Sequence, residues 1–202
     1  ETREDGIKWL GAAKAEANIG VITEVMEEKY LDLICDVADI IQIGSRNMQN
    51  YPLISEAAKT QKPIMIKRHY GASLRDWLGA AEYILKNGNK KLILCERGVV
   101  APHTHKITSR FLIDLQVVPA AQDITHLPII VDPSHATFWR PWVKSMALAS
   151  VASGADGIMV EVHPNPPKAF VDPLQPINYK ELKDLMYSMN KVAKASWNRK
   201  IY

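Results

Sequence analysis

Six short apolar runs punctuate this chain, at residues 21–25, 40–44, 63–68, 92–95, from 129 onward, and 157–164. Each ends in a charged or polar cluster, and a helical stretch follows. Strict alternation of β-rich runs and helices with short connections specifies a parallel sheet with helices packed outside it. The first helix is expected over 2–18, where Ile7, Leu10, Ala13 and Ala17 recur at three- and four-residue spacing, with Gly20 closing it. Further helices are expected over 29–38 and 51–60. A longer one starts from the N-cap Ser73, with Asp76 three residues on, and stops at Asn87-Gly88. The last three are expected over 110–122, where Pro119 bends or ends the helix, over 141–153 before Gly154, and over 179–195. A loop over 99–109 carries His103 and His105.

Polar clusters at the C-terminal ends of parallel strands are the arrangement of a TIM (β/α)8 barrel. Such a barrel has eight strands and typically ~250 residues. This sequence of 202 residues shows six runs and opens on a helix. Two architectures satisfy the pattern. One is an open six-stranded sheet, which leaves two bare apolar edges. The other, which is the expectation, is a barrel over residues 1–202 whose first two strands are absent from the sequence.

The strand ends carry the chemistry. Arg46, Lys67, Arg68 and Arg97 each follow a run directly. Cations gathered without an acid for each one suit an anion, and phosphate or carboxylate matches the arginine fork. The alternative is four unrelated surface cations at loop starts. His135, Glu161 and Asp172 follow the last two runs. One imidazole and two carboxylates suit one divalent ion of borderline hardness: manganese, iron, cobalt or zinc. Spacing alone leaves a structural role open for His135. Glu161 is more telling, because a carboxylate amid Ile158, Met159, Val160 and Val162 does not face a core unpaired. His163 shares its strand parity.

Composition removes several classes. A net charge of +3 is too small for a nucleic-acid footprint, though it fits a local basic site for anionic substrates. No apolar run approaches the roughly 18 residues of a membrane span. The charged opening Glu1-Thr2-Arg3-Glu4-Asp5 does not read as a signal peptide. Cys35 and Cys95 lie far apart inside apolar runs and read as buried reduced thiols of a cytoplasmic protein.

Six segments in order then carry a resemblance: Q-I-G-S-R-N-M-Q-N at 42–50, I-M-I-K-R at 64–68, A-A-E-Y-I-L-K-N-G-N at 80–89, L-I-L-C-E-R-G at 92–98, H-L-P-I-I-V-D-P-S-H-A-T at 126–137 and G-A-D-G-I-M-V-E-V-H-P-N-P at 154–166. Together they closely resemble the 3-deoxy-D-arabino-heptulosonate-7-phosphate (DAHP) synthase family, in its microbial subfamily related to 3-deoxy-D-manno-octulosonate-8-phosphate synthase. The resemblance implies a TIM barrel whose strands three to eight are present here. It implies condensation of phosphoenolpyruvate with a phosphorylated aldose, erythrose 4-phosphate, at the first step of the shikimate route to aromatic amino acids. It implies no nucleic-acid or membrane partner, a cytoplasmic location, and a homo-oligomer, dimer or tetramer. By resemblance, Arg46, Lys67 and Arg97 hold phosphoenolpyruvate, with Arg68 beside them, and His135, Glu161 and Asp172 are three of four metal ligands. Catalysis falls to Lys67, His135 and Glu161. The family's fourth ligand is a cysteine of its first strand, which neither Cys35 nor Cys95 matches.

Departures gather on the aldehyde side. His69-Tyr70 stands where the family usually has glycine after Lys-Arg. Val99-Val100-Ala101 stands where an arginine usually comes early, and Phe170-Val171-Asp172 stands where the family usually reads Leu-Ser-Asp. A sibling synthase using another aldehyde such as arabinose 5-phosphate, and a non-catalytic barrel remnant, are the alternatives.

Overall fold

The computed structural model describes residues 3–102 and 111–197. His103 and His105 lie outside the described residues. The chain forms two compact units, 1–94 and 95–202.

The first unit opens with α1 (Arg3–Ala17), β1 (Ile22–Glu24), α2 (Leu31–Cys35) and β2 (Ile40–Ile43). It continues through α3 (Tyr51–Lys59), β3 (Ile64–Lys67) and α4 (Leu74–Lys86) into β4 (Leu92–Glu96). β1 runs parallel to β2 with Ile22 beside Ile40, and β2 runs parallel to β3 with Ile41 beside Ile64. Alternation sorts the side chains. Ile41, Ile43, Ile64 and Ile66 are fully buried, as are Leu53, Ile54, Trp77 and Ile84 of α3 and α4. Trp77 spends its only polar atom on the Ile66 carbonyl, at 3.2 Å. The start of α4 is a capping box. The Ser73 hydroxyl accepts from the Asp76 amide, and the Asp76 carboxylate accepts from the Ser73 amide. α1 ends at Ala17, three residues before Gly20, because Asn18 takes the left-handed conformation at φ 50°. The helix expected over 29–38 is shorter. A 3₁₀ turn, Glu28–Tyr30, precedes α2.

The second unit contains α5 (Val117–Gln122), β5 (Ile129–Val131), α6 (Pro133–Thr137), α7 (Arg140–Ala152), β6 (Gly157–Ile158) and α8 (Tyr179–Trp197). The Asp132 amide donates to the Glu96 carbonyl at 2.8 Å, and β5 runs parallel to β6. Val143, Ala147 and Val151 of α7 pack with Leu185, Met189 and Ala193 of α8. Strand order follows chain order, β1-β2-β3-β4-β5-β6, in an α/β fold with a parallel sheet.

Two expectations are corrected here. The helix of 110–122 begins only at Val117, because Leu112 is drawn into an antiparallel bridge with Val99. Pro119 lies in the first helical turn, where its missing N–H is tolerated. The 157–164 strand pairs regularly only at Gly157–Ile158, after which Val162 bridges to Ile177. Pro133-Ser134-His135, in the polar cluster after β5, is the start of a short helix capped by Asp132.

Candidate active site

The end of β5 builds the centre of the second unit. Asp132 caps α6, its Oδ1 accepting the His135 amide at 3.0 Å, and Pro133 fills the first helical position. The same carboxylate reaches the imidazole. Asp132 Oδ2 lies 2.8 Å from His135 Nδ1. In the metal-ligating tautomer Nδ1 donates to the buried Asp132 carboxylate and Nε2 keeps its lone pair for an ion. Glu161 Oε1 stands 3.1 Å from that Nε2. The Glu161 backbone is held on both sides: its amide donates to the Ser134 hydroxyl at 3.1 Å, and its carbonyl accepts from the Ile177 amide at 2.9 Å. Asp172 completes the group. One ligand atom each from His135, Glu161 and Asp172 fall within 4.8 Å of one another.

These residues fit a divalent ion. Two ligand atoms each about 2.1 Å from one ion stand about 3.0–3.4 Å apart, which matches the His135–Glu161 separation. The donor set is one nitrogen and two carboxylate oxygens, and the imidazole is oriented by a carboxylate behind it, as in metal-ligating histidines generally. Asp172 has a backbone φ of 47°, left-handed and unusual outside glycine but tolerated by aspartate. The bonds of the turn, with the Gln175 amide on the Asp172 carbonyl at 3.2 Å, hold it there.

Arg97 follows β4 in the same unit, with its guanidinium carbon 4.5 Å above the Phe111 ring. His163 is fixed by its own turn. Its Nδ1 accepts the Asn165 amide at 3.0 Å.

In the first unit the cations divide. Arg46 is exposed on the 3₁₀ turn Ser45–Asn47 after β2. The Ser45 hydroxyl donates to the Arg68 carbonyl at 2.9 Å and ties that turn to the end of β3. Lys67, the last residue of β3, and Arg68, the first beyond it, are both 6% exposed. Arg68 turns to the helix side. Its Nε donates to the Ala72 carbonyl at 2.9 Å, and its guanidinium carbon lies 5.9 Å from the Trp77 ring centre. Arg68 thus commits its Nε to the turn that follows β3, while Lys67 stays on the strand. By parity and register, Lys67 shares its face with Met65, Gln42 and Glu24. Gln42 Nε2 donates to Glu24 Oε2 at 3.4 Å. Gly44 leaves room for that carboxylate, since a Cβ there would sit 1.9 Å from Glu24 Oε1. His69, the departure after Lys67-Arg68, is anchored by its amide on Met48 Sδ at 3.1 Å and by Nδ1 accepting the Gly71 amide at 3.1 Å.

Four polar residues of these strand ends were missed in the sequence: Glu24, Gln42, Glu96 and Asp132. The signal was available, because each is a polar side chain at the C-terminal end of an apolar run, as Glu161 is.

The sequence profile of the DAHP synthetase I family matches residues 2–197. The chain is 41% identical over 192 residues to the phospho-2-dehydro-3-deoxyheptonate aldolase of Thermotoga maritima, covering 95% of this chain and 56% of that protein. It is 34% identical over 176 residues to the 2-dehydro-3-deoxyphosphooctonate aldolase of Acinetobacter baylyi, covering 84% of this chain and 61% of that protein. The crystal structure of the T. maritima protein superposes with a TM-score of 0.90 over 95% of this chain and 56% of that one. A truncated form of 3-deoxy-D-arabino-heptulosonate 7-phosphate synthase from the same organism also gives 0.90, with 72% of its chain covered. The chain thus spans little more than half the length of the full-length T. maritima relative it matches.

Proposed function

Because the chain belongs to the DAHP synthetase I family, we propose that it condenses phosphoenolpyruvate with erythrose 4-phosphate to give DAHP and phosphate. The observation that carries this reading is the convergence of His135, Glu161 and Asp172 within 4.8 Å, with His135 oriented by Asp132. These three would hold one divalent ion, manganese, iron, cobalt or zinc, whose chemistry is to polarise an aldehyde oxygen.

The chain's own residues have a separate task. Phosphoenolpyruvate is a weak carbon nucleophile bearing two anionic groups. Attack of its C3 on the aldehyde leaves cationic character at C2, water adds there, and loss of phosphate yields the 2-keto product. Arg46, Lys67 and Arg97 are the residues proposed to neutralise the phosphate and carboxylate and to fix the nucleophile's orientation. Arg68 is proposed to stand beside Lys67 at the same anion, with its Nε on the Ala72 carbonyl. Lys67 is nearly buried, which strengthens its field at a bound anion.

We further read the six strands as strands three to eight of an eight-stranded barrel, and the protein as a cytoplasmic homo-oligomer, dimer or tetramer. The chain-order parallel sheet supports the barrel reading. No helix among the described residues is long and apolar enough to cross a membrane.

A second reading, a sibling synthase using arabinose 5-phosphate, draws on the octonate aldolase relatives and on His69 beside Lys67. Steady-state rates with erythrose 4-phosphate and arabinose 5-phosphate separate the two. A preference for the pentose phosphate would replace the first reading. For the centre itself, His135→Ala is expected to abolish turnover and leave the circular dichroism spectrum unchanged. Near-normal turnover in that variant would end the metal assignment.

A further inference from the structure

We propose that Glu96 is a positioning residue of this site: its buried carboxylate ties together the two limbs of the loop after β4 and so sets the direction of Arg97. This rests on the assignment of Arg97 to the substrate anion made above.

Glu96 is the last residue of β4 and is fully buried. An acid there is costly unless donors meet its oxygens. Oε1 accepts the Gly98 amide at 2.7 Å and the Asp114 amide at 3.4 Å. The first belongs to the outgoing limb of the loop and the second to the returning limb. Just beyond, Val99 and Leu112 exchange two backbone hydrogen bonds, each 2.9 Å long. The base of the loop is therefore a closed stalk with the Glu96 carboxylate at its foot.

Arg97 is the single residue enclosed between Glu96 and Gly98. The bond from the Gly98 amide back to the Glu96 side chain curls the backbone around Arg97, and Gly98 takes φ 94° to allow it. The Arg97 guanidinium then lies over Phe111, which is on the returning limb. Both the root of Arg97 and the ring it rests on are thus fixed relative to one carboxylate.

Glu96 also touches the other arm of the site, but through its main chain. Its carbonyl accepts the Asp132 amide at 2.8 Å, and Asp132 holds His135. Replacing the side chain removes the tether to Arg97 and leaves that backbone bond in place. A general loss of structure would weaken both arms, whereas loss of the tether weakens one.

The test compares purified wild type with Glu96→Leu, Glu96→Gln and Arg97→Ala. Isothermal titration measures phosphoenolpyruvate and Mn2+ binding separately, and amide hydrogen exchange follows Gly98 and Asp114. Glu96→Leu is expected to raise the phosphoenolpyruvate Kd about ten- to a hundredfold, the range for losing hydrogen bonds to a charged group. Its Mn2+ Kd should stay within about threefold of wild type, and exchange at Gly98 and Asp114 should quicken. Glu96→Gln keeps an oxygen acceptor without the charge and should fall between, about three- to tenfold. If Glu96→Leu does not fold, Glu96→Gln carries the comparison. A folded variant with wild-type phosphoenolpyruvate affinity and unchanged exchange overturns the proposal. So does an equal loss of phosphoenolpyruvate and Mn2+ affinity. If wild type and Arg97→Ala bind phosphoenolpyruvate equally poorly, the substrate assignment falls instead, and the exchange rates alone decide the tether.

Discussion

At the scale of single residues, the centre depends on where one proton sits. Asp132 uses both oxygens on His135, one on the amide and one on Nδ1, which leaves Nε2 to meet an ion. Asp132→Asn keeps the shape but offers a donor or a weaker acceptor to Nδ1. It is expected to lower metal affinity roughly 10–100-fold, the usual effect of removing an orienting partner, with little change in fold. Titration with Mn2+ or Zn2+ measures this, and an unchanged affinity would show that Asp132 serves only as a helix cap. Gly98 sets a different constraint. An added Cβ would meet Phe111 Cβ at 2.8 Å and the Ala136 Cα at 3.0 Å, on a backbone at φ 94°. Left-handed strain and overpacking together predict that Gly98→Ala costs about 2–4 kcal/mol in urea unfolding. A loss well under 1 kcal/mol would mean that the turn relaxes freely. In the sequence, Glu161 stood out as an acid amid apolar neighbours, whereas Glu96 and Asp132 did not, although the same rule applies to them. Their burial becomes apparent only when loop amides are seen closing on them.

At the scale of elements, α7 and α8 are joined by charge as well as by packing. Arg140 meets Glu181 with Nε at 3.1 Å and Nη2 at 2.8 Å, and Glu181 also closes a capping box by accepting the Asn178 amide at 2.8 Å. Partial burial pushes the Glu181 carboxyl up, but the Arg140 guanidinium and the Asn178 amide outweigh it and hold the carboxyl below the usual range. A depressed folded-state value gives stability that is present above the unfolded value, about 4.3 for glutamate. That stability is lost as pH falls through the folded value. The thermal stability of wild type should therefore exceed that of Glu181→Gln at pH 7, and the two should converge as pH falls below the folded value. A gap that persists unchanged into acid would show that the pair acts through shape alone. α4 behaves as its sequence reads. Ser73→Ala should cost about 1 kcal/mol, seen as a lower urea midpoint. α5 shows the opposite case. The apolar stretch Phe111-Leu112-Ile113 reads as a helix start, but Leu112 pairs with Val99 and the Asp114 amide goes to Glu96. A distant backbone partner overrides local periodicity there.

At the scale of the whole molecule, the proposed metal binding would be linked to stability. An ion bound only by the folded protein adds ~2.7 kcal/mol when present at one hundred times its Kd. For a chain of this size, chelation should lower Tm by several degrees, remove turnover, and leave secondary structure intact. Calorimetry with and without chelator reads the first effect, and an unchanged Tm would place the ion's binding outside the folded state. Light scattering of the purified protein tests the dimer or tetramer reading, which a monomer at micromolar concentration would exclude.

The order of elements was legible in the amino-acid sequence because burying a parallel sheet under helices demands one periodicity in the strands and another between them. The same logic marked Arg46, Lys67, Arg97, His135, Glu161 and Asp172 by their place after strands. What it could not reach was orientation. Lys67 and Arg68 are adjacent in the sequence, yet only the contacts with Trp77 and Ala72 show where Arg68 goes. The left-handed turn at Asp172, the carboxylate behind His135 and the tether at Glu96 likewise depend on partners far along the chain. Hydrogen bonds between distant residues are chosen by the folded geometry, and no local pattern encodes them.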